Sequence, residues 1–133
     1  MNDIHKEITD IENHLGVTFP ESYRNFLEEE GSGLIYGLPI YGLPASQNID
    51  SVWGATEALR LARPDLSQNY IVIRFMDSRA LCIDLSNNDK DPLVEINLIS
   101  KERPKKVHNS FALYLEEGKR SKEEVNRALR RIE

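Results

Sequence analysis

The chain has 133 residues, of which 40% are hydrophobic and 29% are charged, and this fits one domain, residues 1–133, with a sizeable core. The single cysteine, Cys82, excludes an internal disulfide framework. The net charge is −5, and residues 1–100 carry 7 basic and 16 acidic side chains, a net −9 that argues against general nucleic-acid binding.

The first predicted element is a helix from about residue 4 to residue 15. Asp3 is a suitable N-cap residue. One face of this helix collects apolar residues at steps of four, three and four, namely Ile4, Ile8, Ile11 and Leu15. Gly16 follows where a left-handed residue ends many helices, so the sequence predicts a helix end at this point.

A second helix is predicted from about residue 20 to residue 30. Pro20 suits the first turn of a helix, and Glu21 complements its positive end. Tyr23, Phe26 and Leu27 share one face by their i, i+3 and i+4 spacing. Gly31 then ends the helix, and the first two elements therefore form a helical hairpin with an apolar corner.

The stretch IENHLGVTFPESYRNFL, residues 11–27, together with EGSGL at residues 30–34, resembles the signature of the SUKH superfamily. The shared features are the pairs Leu15-Gly16, Phe19-Pro20, Ser22-Tyr23 and Phe26-Leu27, and the glycine at Gly31. Glu30 replaces the asparagine that is frequent before this glycine. The close match covers residues 4–43.

The resemblance implies a fold and a function. The fold is a single α+β domain with helices packed around a bent, mainly antiparallel sheet. The function is that of a non-enzymatic bacterial immunity protein, which binds and neutralises a polymorphic toxin domain, often a nuclease. The alternative, suggested by fungal cell-wall-assembly relatives, is a regulatory scaffold for protein–protein interaction. No cofactor is implied by either function.

The middle of the chain continues with short elements. Residues 34–43 alternate apolar residues with Gly37, Pro39 and Gly42, which indicates short, irregular strands at a sheet edge. A helix is predicted within residues 50–64, with Asp50 or Ser51 as its cap and Pro64 as its end.

Three segments alternate with period two, at residues 70–76, 80–86 and 93–99, and predict an antiparallel meander. If one face is apolar, Phe75 pairs with Leu81 and Ile73 with Ile83, because facing residues share a face. Residues 77–79 are then the loop between the first two strands.

The C-terminal third is predicted to hold a polar connection and two helices. Residues 101–108 are read as the connection. A helix from about residue 110 to residue 117 is expected to end at Gly118. Ser121 and Glu124 then form a capping box for a last helix, whose apolar residues are Val125, Leu129 and Ile132.

Reactive residues do not form a recognisable catalytic or metal-binding pattern. His5 and His14 lie nine residues apart, on opposite sides of one helix, so they do not bind a metal jointly. A surface ion pair between Asp10 and His14 is expected instead. Cys82 lies within an apolar strand and is interpreted as a buried thiol rather than a nucleophile. No catalytic, cofactor-binding or metal site is therefore predicted.

The most informative polar set is Arg74, Asp84 and Glu95, which the alternation places on the less apolar sheet face. One register puts Asp84 opposite Glu95, with Arg74 bridging the two carboxylates. The set is either a solvated salt-bridge cluster or a partner-binding surface. Trp53 is likewise either a core residue or an interface hot spot.

The partner implied by family and charge is a basic protein toxin domain, with no nucleic acid or membrane involved. Its expected contacts are acidic residues on the sheet and its turns, beside Arg74 and Trp53: Asp77, Asp84, Asp89, Asp91 and Glu95. Residues 101–133 carry a net +4, but interleaved glutamates indicate ordinary helix-surface charge rather than a nucleic-acid site. We expect a cytoplasmic protein, since no signal peptide or membrane span is evident, with a monomer as the default state.

Overall fold

The computed structural model describes residues 4–31, 33–35, 38–43, 51–86 and 91–132. The helices in these segments are α1 (Ile4–Leu15), α2 (Glu21–Glu30), α3 (Val52–Ala62) and α4 (Phe111–Ile132). The strands are β1 (Gly33–Ile35), β2 (Leu38–Ile40), β3 (Tyr70–Met76), β4 (Arg79–Asp84), β5 (Leu93–Asn97) and β6 (Lys105–His108). Asp3 and Asp50, both considered as helix caps, and Asp89 lie outside the described residues.

The predicted helical hairpin is confirmed. Gly16 and Gly31 both have the left-handed backbone that their positions after α1 and α2 require, with φ of 69° and 71°. Glu12 stabilises the corner between the helices, because its carboxylate accepts hydrogen bonds from the Phe19 N–H at 2.7 Å and from Arg24 Nη1 at 2.6 Å. The sequence analysis did not identify Glu12 as a buried residue that holds the corner together.

The sheet is antiparallel, and the predicted α+β class is confirmed. Four strands pair in the order β3-β4-β5-β6, while β1 and β2 form a separate antiparallel hairpin. The chain leaves β2 along the outer edge of β3, where the Tyr41 N–H donates to the Ile73 carbonyl at 2.7 Å. Ser51 caps α3 by accepting from the Gly54 N–H at 3.1 Å.

The predicted register between β3 and β4 is wrong. Val72 pairs with Cys82, but Arg74 pairs with Leu81, so Ile73 is the extra residue of a β-bulge. Phe75 consequently faces Ala80 rather than Leu81, and the connecting turn is two residues long, Asp77 and Ser78. The bulge was not anticipated because strict period-two alternation assumes an unbroken ladder.

The C-terminal third also differs from the expectation in two respects. Residues 105–108 are not a connection but the strand β6, paired with β5. The two predicted helices are one helix of 22 residues, α4, and Gly118 lies buried inside it. A glycine inside a helix costs only about 1 kcal/mol relative to alanine, so it does not by itself end a helix.

Both faces of the sheet are buried along β3, β4 and β5. On one face, Ile71, Ile83 and Leu93 belong to the core shared with α1, α2 and the start of α4. On the other face, Val72, Cys82 and Val94 belong to a second core with Ala55 and Leu59 of α3. The predicted packing of the helical hairpin is confirmed, since one core holds its apolar residues, Ile8, Ile11, Leu15, Phe19, Tyr23, Phe26 and Leu27.

Phe26 lies at the centre of the contact between α2 and α4. Its ring is 6.0 Å from that of Tyr23 and 5.8 Å from that of Phe111, and only 4% of the residue is exposed. Phe26→Ala should therefore lower the free energy of unfolding by ~3–5 kcal/mol, since it leaves a cavity among aromatic rings. Urea unfolding measures this loss.

Leu61→Ala is the matched control, because Leu61 is 84% exposed and should contribute less than about 0.5 kcal/mol. Equal losses for the two variants would contradict the assignment of Phe26 to the core.

Candidate functional site

Strands β3, β4 and β5 have no open polar face along their length, which corrects the predicted arrangement of Arg74, Asp84 and Glu95. Glu95 pairs with Leu81, whereas Asp84 pairs with Tyr70, so the two carboxylates lie on opposite faces of the sheet. The register puts Cys82 opposite Val94 because both faces must bury apolar residues. The proposed bridge by Arg74 between the two acids is therefore wrong.

Arg74 instead connects the sheet to α4. The bulge at Ile73 turns it toward the face of Leu81, and only 5% of the residue is exposed. Its Nη2 donates a hydrogen bond to the Tyr114 hydroxyl at 2.7 Å, and its guanidinium carbon lies 6.0 Å from the centre of that ring. The ring of His108 meets Tyr114 at 5.7 Å. These contacts join β3, α4 and β6.

Two predicted acidic residues lie near the turn between β3 and β4. Asp77 is exposed and has a φ of 54°, a backbone that asparagine and aspartate tolerate better than most residues. Glu95 is half-buried, and its Oε2 lies 3.4 Å from Arg79 Nη1. We call Asp77, Arg79 and Glu95 the hairpin end of the sheet. Asp77 and Glu95 are its acidic residues.

Two other predicted acidic residues lie at the opposite end of the sheet, about 17 Å away along β4. Asp84 accepts hydrogen bonds from the Ser86 N–H at 2.9 Å and from its hydroxyl at 2.6 Å. Asp91 is buried and accepts from the Ser22 hydroxyl and from the Ala112 N–H at 3.3 Å. Asp91 therefore anchors the start of α4, and the four predicted acidic residues that the structure describes do not form one patch.

Trp53 belongs to a cluster between α1 and α3 that the sequence analysis did not identify. Its indole N–H donates to Glu57 at 3.1 Å, and its ring lies 4.1 Å from that of His14. His14 Nε2 contacts the same Glu57 carboxylate, so the expected pairing of His14 with Asp10 is wrong. The i, i+4 spacing of Trp53 and Glu57 in the sequence indicates that these two side chains can meet on α3. No feature of the sequence indicates that His14 of α1 joins them.

Cys82 is fully buried in β4, and its burial raises the pKa of the thiol well above the ordinary value. Within the described segments, no group of three or more histidine, cysteine, aspartate or glutamate residues is placed to hold a metal ion. Among the helices described, none has the length and apolar composition needed to cross a bilayer.

Comparison with known families assigns the chain to one of them. Over residues 2–119, the chain matches the model of the SUKH_5 family, described as SMI1-KNR4 cell-wall. The chain belongs to this family. The match confirms the resemblance seen at residues 4–43 and extends it through β6 into α4. None of the curated proteins compared with the chain matches it. SUKH proteins are generally non-catalytic, and membership is consistent with a role in protein interaction.

The buried thiol gives the first prediction for this region. Native protein should react with 5,5′-dithiobis(2-nitrobenzoate) at least about a hundredfold more slowly than protein unfolded in urea, because the thiolate is disfavoured and enclosed. Absorbance of the released thiolate follows the reaction. Rapid, stoichiometric labelling of native Cys82 would contradict the buried position and would reopen a nucleophilic role.

The cluster of His14, Trp53 and Glu57 leads to a prediction about how the stability of the protein depends on pH. Hydrogen bonding from His14 is the main cause that lowers the pKa of Glu57 below its ordinary 4.5. Ionised Glu57 therefore stabilises the fold above pH 4.5, and this contribution disappears as the pH falls through the lowered pKa. Since both side chains are 39% exposed, solvent screening limits the effect to about 0.5 kcal/mol.

Glu57→Gln should consequently lose less stability than the parent protein as the pH falls from above 4.5 to below the lowered pKa of Glu57, as measured by urea unfolding at each pH. Glu116→Gln, at an exposed position of α4, is the matched control and should follow the parent protein. A parent-like acid loss in Glu57→Gln would argue against the ionised contact.

Proposed function

We propose that this SUKH protein is an immunity protein that binds and neutralises a toxin domain. Membership of the SUKH family over residues 2–119 is the observation that carries the proposal. Binding would block the toxin stoichiometrically, without chemistry on the immunity protein. The buried Cys82 and the structural roles of Glu12 and Asp91 agree with a binding protein, because each of these reactive groups is enclosed in the fold.

The charge distribution supports a basic partner domain. The net −9 of residues 1–100 attracts cations and accelerates the encounter with a basic protein. Several acids on the outer surface of α1 and α2 are exposed, namely Asp10, Glu21, Glu29 and Glu30. Glu28–Glu30 end α2, where the helix dipole favours cations rather than anions. Their acidity therefore does not serve the stability of the helix.

Our proposed contact surface is the hairpin end of the sheet. Asp77 is exposed, and Glu95 is accessible enough for a cationic side chain to replace Arg79 as its partner. Asp84 is proposed as a secondary contact at the other end, and Trp53 as an anchor on the side of α3; Asp89, outside the described residues, stays a candidate from the sequence alone. Arg74 and Asp91 act indirectly in this proposal, since they hold α4 in place.

A second candidate function is a regulatory scaffold that binds proteins of its own cell. The description of the matched family as cell-wall favours it. The two candidates differ in their partners, because only an immunity protein requires a cognate toxin. Co-purification with the C-terminal toxin domain encoded beside this gene tests the distinction directly. A stable one-to-one complex supports immunity, and the absence of any such toxin or complex supports the scaffold.

Binding kinetics test the contact surface. Asp77→Asn combined with Glu95→Gln should slow association with the toxin domain by roughly three- to tenfold at low salt, and should weaken its salt dependence. The physical reason is the loss of two charges that steer the encounter. Surface plasmon resonance at about 50 and 300 mM salt measures both effects.

The matched control is Asp10→Asn combined with Glu29→Gln, which removes the same charge from exposed positions on α1 and α2. A smaller effect of this control supports the hairpin end as the contact. A larger effect would move the contact surface to the helices, and salt-independent association in all variants would contradict electrostatic steering altogether.

A further inference from the structure

The two outer edges of the four-stranded sheet differ in how they are covered. At the β3 edge, Tyr41 bonds to the Ile73 carbonyl through its N–H, and its hydroxyl accepts from the Phe75 N–H at 3.3 Å. Strand β6 forms the other edge, and within the described part of the chain no strand or loop is hydrogen-bonded along its outer side. The register between β5 and β6 shifts at Val107, the extra residue of a bulge, so this edge offers regular N–H and carbonyl groups to a further strand on either side of Val107.

A groove runs beside the open edge. It has a volume of about 460 Å³ and is lined by β6 with the residue that follows it and by one side of α4: Lys106, Val107, His108, Asn109, Leu113 and Glu117. Val107 and Leu113 are 42% and 48% exposed and give the groove an apolar floor. His108 Nε2 contacts Glu117 at 3.0 Å and links the strand to the helix at this groove.

The edge is also strongly basic. Residues 101–109 contain four exposed cations, Lys101, Arg103, Lys105 and Lys106, and one acid, Glu102. The connection that carries them has a fixed path, because the buried Arg63 donates to the Asn97 carbonyl at 2.7 Å and to the Glu102 carbonyl at 3.1 Å. The cations therefore lie beside the strand edge in the folded protein.

The charge selects among occupants of this edge. A second copy of the chain pairing through β6 would bring lysines against lysines, which is destabilising across a strand pair. An acidic extended segment would instead place its carboxylates on one face of the added strand, against Lys106. Lys105 and Lys106 pair with Glu95 and Val94 and so lie on opposite faces of the sheet, and the alternate apolar side chains of the segment point to the face that carries α4. Nucleic acid fits less well, because the groove residues that are exposed and apolar, Val107 and Leu113, are aliphatic and offer no stacking surface.

The geometry points to β6 as a docking edge for an extended, acidic segment of a protein partner, which adds a fifth strand to the sheet. The backbone of β6 supplies the hydrogen bonds, and Lys106 together with the exposed aliphatic side chains of Val107 and Leu113 supplies the preference for alternating acidic and apolar residues. The proposal of a β6 docking edge is independent of the proposed toxin partner. The toxin domain is expected to be basic, whereas the segment that binds β6 must be acidic.

A fluorescein-labelled nonapeptide that alternates glutamate and valine is the probe. It should bind the full chain in fluorescence anisotropy, and amide hydrogen exchange at residues 105–108, followed by NMR, should slow at least tenfold at saturation. The same peptide with lysine for glutamate, and one with proline at alternate positions, should both fail to bind. No binding at about 1 mM peptide, or binding that leaves exchange at these amides unchanged, overturns the proposal.

Charge reversal locates the contact. Lys106→Glu should weaken peptide binding at least tenfold, whereas Lys119→Glu, the same charge change at an exposed position of α4, should change it less than twofold. Lys105 is left unchanged because it pairs with Glu95 in the sheet. Leu113→Glu tests the groove without altering β6 and should also weaken binding at least tenfold. Equal effects of the two lysine variants, or tighter binding of an oligothymidylate than of the peptide at the same edge, overturn the proposal.

Discussion

The β-bulge at Ile73 determines how α4 attaches to the sheet. The extra residue moves Arg74 onto the same face as Leu81, where its guanidinium meets the Tyr114 hydroxyl. Without the bulge, Arg74 would follow Val72 onto the face that packs against α3, where the surrounding core is apolar. A buried guanidinium needs a partner, so the bulge and the tyrosine on α4 are physically linked. The bulge residue itself is stabilised, because Tyr41 donates to its carbonyl.

Helices cover both faces of the sheet along β3, β4 and β5, so a partner protein can contact only the remaining surface of the molecule. Residues that alternate along β3, β4 and β5 enter one of two cores, so the central strands offer few groups to a partner. The accessible features are the hairpin end, the outer surfaces of the helices and the β6 edge. Two of these features have opposite charge: the outer surfaces of α1 and α2 are acidic, and residues 101–106 beside the β6 edge are basic. Two chemically different partners, or two parts of one partner, fit this division.

The parts of the fold that the sequence predicted share one property: their signals are local. Helix ends at Gly16 and Gly31 follow from left-handed backbone that glycine adopts readily, and both are observed. The apolar faces of α1 and α2 follow from spacing alone, and Ser51, one of two cap candidates in the sequence, caps α3. The SUKH signature was recognisable for the same reason, since it is built from these local turns and pairs.

The sequence by itself determined the helical hairpin, the antiparallel meander and the family, because short-range sterics and apolar periodicity are encoded within a few residues. Tertiary structure alone decided the register, the strand β6 and the continuity of α4. Residues 105–108 become a strand by pairing with β5, and α4 passes through the buried Gly118. Tertiary structure also decided the candidate sites. His14 and Glu57 are 43 residues apart in the sequence but in contact in the fold, and the groove at β6 forms where α4 packs beside the strand.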